Sequence, residues 1–287
     1  MKKRKIVEAL MKVLFGITAC ASILAVFLIC LFMFMNGLPA IGKIGPAEFL
    51  GSTTWAPQDV PPKFGILTMI VGSLYVTAGA IIVGLPVGLL TAVFLARFCP
   101  KGLYKVLKPL VELLAGIPSI VYGFFGMVVL VPLVRELFGG TGNSILTASL
   151  LLGVMILPTI IGLSEAALRA VDNSYYEGAL ALGATHERAV FFTVLPAAKS
   201  GVLSSVILGI GRAIGETMAI VMIVGNQTVL PTSVLDGVRT LTVNIVLEMS
   251  YAAELHREAL IATGVVLFVF ILILNLCFSL MNEKRRA

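Results

Sequence analysis

Gly209-Ile210-Gly211-Arg212-Ala213-Ile214-Gly215-Glu216-Thr217 is the stretch on which the fold turns. It lies inside an otherwise apolar run from about Gly201 to Gly225, long enough to cross a bilayer as a helix. Arg212 and Glu216 are four residues apart, so on a continuous helix they share a face and can meet. A charge at membrane depth is costly unless it faces protein or a water-filled path, which makes the pair a candidate for a translocation path. Ser205, Gly209, Arg212 and Glu216 follow steps of 4, 3 and 4 and form one stripe. Gly209 leaves room beside the guanidinium for an ion or a close helix.

The composition agrees with a membrane setting. Of 287 residues, 59% are hydrophobic and only 13% charged, with a mean hydropathy of +1.04. Soluble domains are about 45–50% apolar and about 25% charged. Repeated apolar runs of about 20 residues suit helices rather than the alternating strands of an outer-membrane barrel. The net charge of +6 does not point to nucleic acid, because the cations cluster at the ends of apolar runs. Cys20, Cys30, Cys99 and Cys277 show no CxxC pairing and read as small buried hydrophobes.

Six spans are expected in an all-α polytopic chain. Lys2-Lys3-Arg4-Lys5 precedes an apolar run at about 13–35, too long for a signal-peptide core and followed by no A-x-A site. Residues 36–65 read as a Gly/Pro-rich loop with Trp55 at headgroup level and an amphipathic patch at Glu48-Phe49-Leu50. Further spans are expected at about 66–96, 109–134, 144–168 and 201–225, and from Glu258 to Met281. The chain divides accordingly into an N-terminal helix and extracytoplasmic loop (1–65), a permease core (66–281) with a cytoplasmic loop at 170–200, and a basic tail (282–287).

Of the 21 Lys and Arg, Lys43, Lys63, Arg135, Arg239 and Arg257 fall on one side and Arg212 within a span. The others share a side with the termini, so the positive-inside rule puts both termini in the cytoplasm. His186 and His256 then lie on opposite sides and cannot share a metal. Glu112 is read as interfacial beside Lys108, and Glu165 with Arg169 as an ordinary surface pair. Ser119 and Tyr122, beside Pro118, are expected either to line the path or to pack in the core. Gly37-Leu38-Pro39-Ala40-Ile41-Gly42-Lys43 begins like a phosphate-binding loop, but Ile44 stands where Mg²⁺ needs a hydroxyl. Gly209-x-Gly211-x-x-x-Gly215 has the wrong spacing for a dinucleotide fingerprint. No catalytic residue, cofactor, metal or nucleotide site is therefore expected, and ATP is left to a separate subunit.

Glu177-Gly178-Ala179-Leu180-Ala181-Leu182-Gly183-Ala184, closing in Val194-Leu195-Pro196, resembles the EAA signature of ABC-importer permeases. Gly178 and Thr193 depart from the usual pattern. The resemblance implies a short helix docking into a groove on an ATPase, with Glu177, Ala179, Leu180, Leu182 and Gly183 as the coupling residues. Ala179, Leu180 and Leu182 supply an apolar face of the kind such a groove takes.

Gly211 to Ala219, Ala115-Gly116-Ile117-Pro118-Ser119-Ile120-Val121-Tyr122-Gly123 and Phe49-Leu50-Gly51-Ser52-Thr53-Thr54-Trp55 together resemble the phosphate-importer permeases of the PstC family. That likeness implies the MetI-like fold of type I importers, import of inorganic phosphate, and a substrate path at Arg212, Glu216, Ser205, Gly209 and Ser119. It also implies a PstA-like permease, PstB-like ATPases and an extracytoplasmic PstS-like binding protein as partners. A guanidinium can hold two phosphate oxygens at once, and Glu216 is expected to neutralise Arg212 when the path is empty. The competing expectations are a structural Arg212–Glu216 pair, an importer of another oxyanion such as molybdate or sulfate, or an ion-coupled secondary transporter. The last would carry an inverted repeat, and none is evident.

Overall fold

The computed structural model describes residues 2–283; the side chains at 2–7, at 9 and from 278 onward, and the tail from 284, lie outside what is described. Apolar continuity carries α1 from Lys2 to Ile44, well past the expected span end at 35 and into the expected loop. The short helix α2 (Pro46–Gly51) follows, then an antiparallel hairpin of β1 (Trp55–Ala56) and β2 (Lys63–Phe64) that pairs Trp55 with Phe64. Next come α3 (Leu67–Val93), extended by a π turn at Phe94–Phe98, and α4 (Lys101–Gly116). A longer rod is built from α5 (Ser119–Phe125), a π turn (Gly126–Leu130) and α6 (Val131–Phe138). α7 (Ile145–Arg169) starts on a Ser144 cap, whose Oγ accepts the Thr147 N–H at 3.2 Å.

The later half is more broken. α8 (Asn173–Ala181) is followed by α9 (His186–Ala189), a π turn (Val190–Val194) and α10 (Leu195–Ala197). Then come α11 (Lys199–Gly215), α12 (Met218–Val221), α13 (Leu241–Glu248) and α14 (Glu254–Glu283).

Among the described residues, five helical stretches are long and apolar enough to cross a membrane: Leu10–Ile44, Leu67–Phe98, Ser119–Phe138, Ile145–Arg169 and Glu254–Cys277. A sixth arises if His186–Ala197 and Lys199–Gly215, bent by 70° at their junction, form one span.

Two span assignments need correction. The third does not begin at 109: α4 ends at Gly116, Ile117 is extended (φ −72°, ψ 125°), and a new helix starts after Pro118. Proline has no N–H to give to a helix and disfavours helical backbone in the residue before it. Lys101, Lys105 and Lys108, expected between spans, therefore lie on a helix, and α6 runs through Arg135 to Phe138, past the expected span end at 134. The fifth span does not run unbroken from 201 to 225. α11 stops at Gly215, Glu216 is extended (φ −69°, ψ 133°), and only the single turn α12 follows.

The core sits between α3 and α7, with Val76, Ala80, Leu152, Ile156 and Ile160 buried together. Glycine permits that closeness: a Cβ at Gly84 would sit 2.7 Å from the Gly153 carbonyl oxygen. A second cluster joins Phe49, Trp55 and Phe64 to Leu241, Ala259 and Leu260 at the end of the bundle where α3 begins. A third joins Ala92 and Val93 to Leu168, Val190 and Val194 at the opposite end.

Candidate functional site

Arg212 occupies the last turn of α11, where a cation complements the negative end of the helix dipole. Its side chain is exposed, and its Nη1 donates to Thr159 Oγ1 of α7 at 3.4 Å. Among the described residues it forms no ion pair. Glu216 is not its partner. The helix has ended one residue earlier, and Glu216 Oε1 instead accepts the backbone N–H groups of Thr217 (3.1 Å) and Ala219 (3.3 Å). A side chain that satisfies the following backbone competes with the helical ladder, and Gly215 offers that ladder little resistance. The Glu216 carbonyl oxygen is held in turn by the Thr242 hydroxyl of α13 at 3.1 Å.

The other expected path residues divide between packing and surface. Ser205 is fully buried, with its hydroxyl 2.7 Å from that of Ser164 on α7. Gly209 is buried one turn later, where an added Cβ would lie 3.2 Å from Ile160 Cγ1. The room left by that glycine is thus taken by a close helix. Ser119 is half-buried in the first turn of the helix after Pro118. One turn on, Tyr122 is buried and bonds the Leu114 carbonyl oxygen at 2.9 Å across the helix break.

The expected coupling segment stands clear of the bundle. α8 has no buried residue, Glu177 is exposed, Ala179 is half-buried, and Leu180 and Leu182 are exposed, Leu182 at 91%. Asp172 caps α8 by accepting the Ser174 N–H at 2.8 Å, which holds its carboxyl below the usual range. Gly183 closes the helix at φ +84°, and the Gly183 and Ala184 N–H groups return to the Leu180 and Ala179 carbonyls. The segment is steadied from behind, where Tyr176 Oη meets His186 Nδ1 at 2.8 Å and the His186 ring packs on Phe98.

Residues 84–286 match the family described as binding-protein-dependent transport system inner membrane component. The chain belongs to that family. Members of this permease family include curated relatives that align with nearly its whole length. It is 39% identical to the probable ABC transporter permease protein YqgH of Bacillus subtilis, over 94% of this chain and 90% of that one. It is 33% identical to the phosphate transport system permease protein PstC of Mesorhizobium japonicum over the same shares. With the PstC of Haemophilus influenzae it shares 31% identity over 97% of this chain and 94% of that one. Solved structures share the fold: an alginate ABC importer matches with TM-score 0.62 at 15% identity, covering 91% of this chain and 92% of that one. The MetNI methionine transporter matches with TM-score 0.57 at 21% identity, covering 77% and 94%. The chain is therefore an ABC-importer permease subunit, all-α and multi-pass, in a family of transport components.

Two polar clusters escaped the sequence reading. At one end, Glu165 is not a surface residue: its side chain is 2% exposed. It accepts from Tyr104 Oη, Lys108 Nζ and Arg169 Nε, each at 2.8 Å. A buried carboxylate survives only with such company. The hydrogen bond to Glu165 holds the Lys108 ammonium above its ordinary range. Lys108 also lies 3.8 Å from Glu112, the interfacial pair that was expected. At the other end, Trp55 is buried rather than at a headgroup surface, and its Nε1 donates to Glu248 Oε2 at 2.8 Å. Arg239 Nη1 meets Glu248 Oε1 at 2.6 Å, and His256 Nε2 meets Oε2 at 2.9 Å. His186 and His256 thus belong to separate clusters, and no group of three metal-binding side chains occurs among the described residues.

Proposed function

We propose that this permease forms half the path of an ATP-driven inorganic phosphate importer, with Arg212 as its anion ligand. The observation that carries the reading is an exposed guanidinium without an acidic partner among the described residues, set in a broken membrane helix, in a chain one third identical to PstC phosphate permeases. Such a charge is tolerable where it faces a polar path or a neighbouring subunit. Phosphate at neutral pH is a mono- or dianion that the planar fork of arginine can bind through two oxygens. Ser119, opening the helix after Pro118, is proposed to line the same path. Ser205 and Gly209 seat α11 on α7, and Glu216 fixes the break that ends α11 beside Arg212.

In this reading a PstA-like permease completes the path across the Arg212 face, and a PstS-like protein delivers phosphate from outside. Both termini are cytoplasmic. The exposed 177–183 segment docks a PstB-like ATPase, whose closure switches access to the path. The 1–65 segment is an added membrane helix with its extracytoplasmic loop, 66–281 the transporting core, and 282–287 a basic cytoplasmic tail. A second reading is import of another oxyanion such as molybdate or sulfate, since the name of the Bacillus relative fixes no substrate. Reconstitution with the neighbouring permease, ATPase and binding protein tests both. ATP-dependent uptake of phosphate that excess sulfate or molybdate does not compete supports the first; uptake of sulfate or molybdate in preference to phosphate replaces it with the second.

A further inference from the structure

We infer that Glu165 is the positioning residue through which movement of the α8 segment reaches α4 and the broken helix beyond it. The inference rests on the importer reading. α4 contributes no buried residue, so packing alone does little to hold it. Its tie to the bundle is polar: Tyr104 and Lys108, one turn apart, both reach the buried Glu165 carboxylate of α7. Arg169 donates to the same carboxylate, lies 4.5 Å over the Tyr104 ring, and bonds the Leu95 carbonyl oxygen in the π turn after α3 at 2.8 Å. Arg97, in that π turn, bonds the Leu168 carbonyl oxygen at 2.8 Å and reaches Asn173 Oδ1, the first residue of α8, at 3.4 Å. α4 and α7 therefore meet at the Glu165 carboxylate itself, and the π turn and α8 join them further out, through Arg169 and Arg97.

The connection continues toward Arg212. α4 ends at the break before Pro118, and Tyr122 bridges that break to Leu114. α5 then lies against α12, where a Cβ on Gly123 would be 2.8 Å from Ala219 Cα. α12 begins at Met218, two residues after Glu216 and six after Arg212. A charged anchor on a poorly packed helix holds direction through hydrogen bonds that one changed atom can weaken. Glu165 touches no substrate in this scheme; it keeps α4 in step with α8.

The test uses the assembled complex carrying Glu165→Gln, which preserves side-chain volume, beside Tyr104→Phe and Lys108→Met. The expected result is normal assembly and basal ATP hydrolysis with at least a tenfold drop in phosphate moved per ATP for Glu165→Gln, and smaller drops for the other two. An unchanged ratio overturns the inference, including the case in which only thermal stability falls. A second readout needs no substrate: spin labels at Lys101→Cys on α4 and Ser174→Cys on α8, with the native cysteines replaced by serine. Their separation is expected to stay fixed between nucleotide-free and ATP-trapped wild type and to change with nucleotide in Glu165→Gln. Identical behaviour of the two overturns the inference. Absence of phosphate uptake by wild type instead sinks the phosphate reading and leaves this distance test standing.

Discussion

Glu216 accepts the backbone N–H of Ala219 at 3.3 Å, and this turns its carboxylate from Arg212 toward the start of α12. Two charges that a straight helix would pair are separated because the helix stops between them. The role of Glu216 in holding the break is then that of a cap. Replacing a cap by alanine costs about 0.5–2 kcal/mol, whereas an amide oxygen can still accept. Glu216→Ala is expected to lower the thermal midpoint of the purified complex clearly, and Glu216→Gln much less. Equal losses in the two variants, measured by thermal unfolding in detergent, contradict the capping role.

Tyr122 and Leu114 hold the other break. Tyr122→Phe keeps the ring in the core but leaves the Leu114 carbonyl oxygen without that donor. A lost hydrogen bond of this kind costs about 0.5–1.5 kcal/mol. Faster amide exchange near residues 114–119 is the expected signature, with the α3–α7 core unchanged.

Glu248 is the hub of the far end. Removing one partner of a buried ion pair leaves the other uncompensated, at about 3–5 kcal/mol. Glu248→Ala strands Arg239 and also removes the acceptor of the Trp55 indole. Loss of folded protein and a red-shifted emission from Trp55, the sole tryptophan, are expected together. Tryptophan emission unchanged in a folded variant speaks against the hub.

The loop before α13 carries a pH signature. Asp236 Oδ2 accepts the N–H groups of Thr232 and Ser233, both at 2.8 Å, and these backbone bonds hold its carboxyl below the usual range. A depressed folded value means the stabilisation is present above the unfolded value of about 3.9 and fades as pH falls through the folded one. Amide exchange at Thr232 and Ser233, corrected for its intrinsic pH dependence, is expected to lose protection only at acidic pH. Asp236→Asn is expected to remove that dependence.

Much of this architecture is legible in the sequence because it is local. Apolar runs and the cations at their ends give the spans, and the residues of α8 with Gly183 and Pro196 give the exposed segment. Pro118 was visible too, yet the expected span at 109–134 runs straight through it. The Glu216 break was missed because a four-residue spacing looks the same whether or not the helix continues. Glu165 and Glu248 were missed for another reason. Their partners lie 61 residues away at Tyr104 and 193 away at Trp55, and only the folded bundle brings them together.

The central claim is that the Arg212 guanidinium binds the transported anion. ATP-dependent uptake of labelled phosphate into proteoliposomes holding the whole complex tests it most directly. Two charge-assisted hydrogen bonds are worth about 3 kcal/mol or more, so Arg212→Ala is expected to cut uptake about a hundredfold or more at unchanged assembly. Arg212→Lys, which keeps the charge but loses the fork, is expected to fall between. Wild-type uptake by correctly assembled Arg212→Ala would contradict the account.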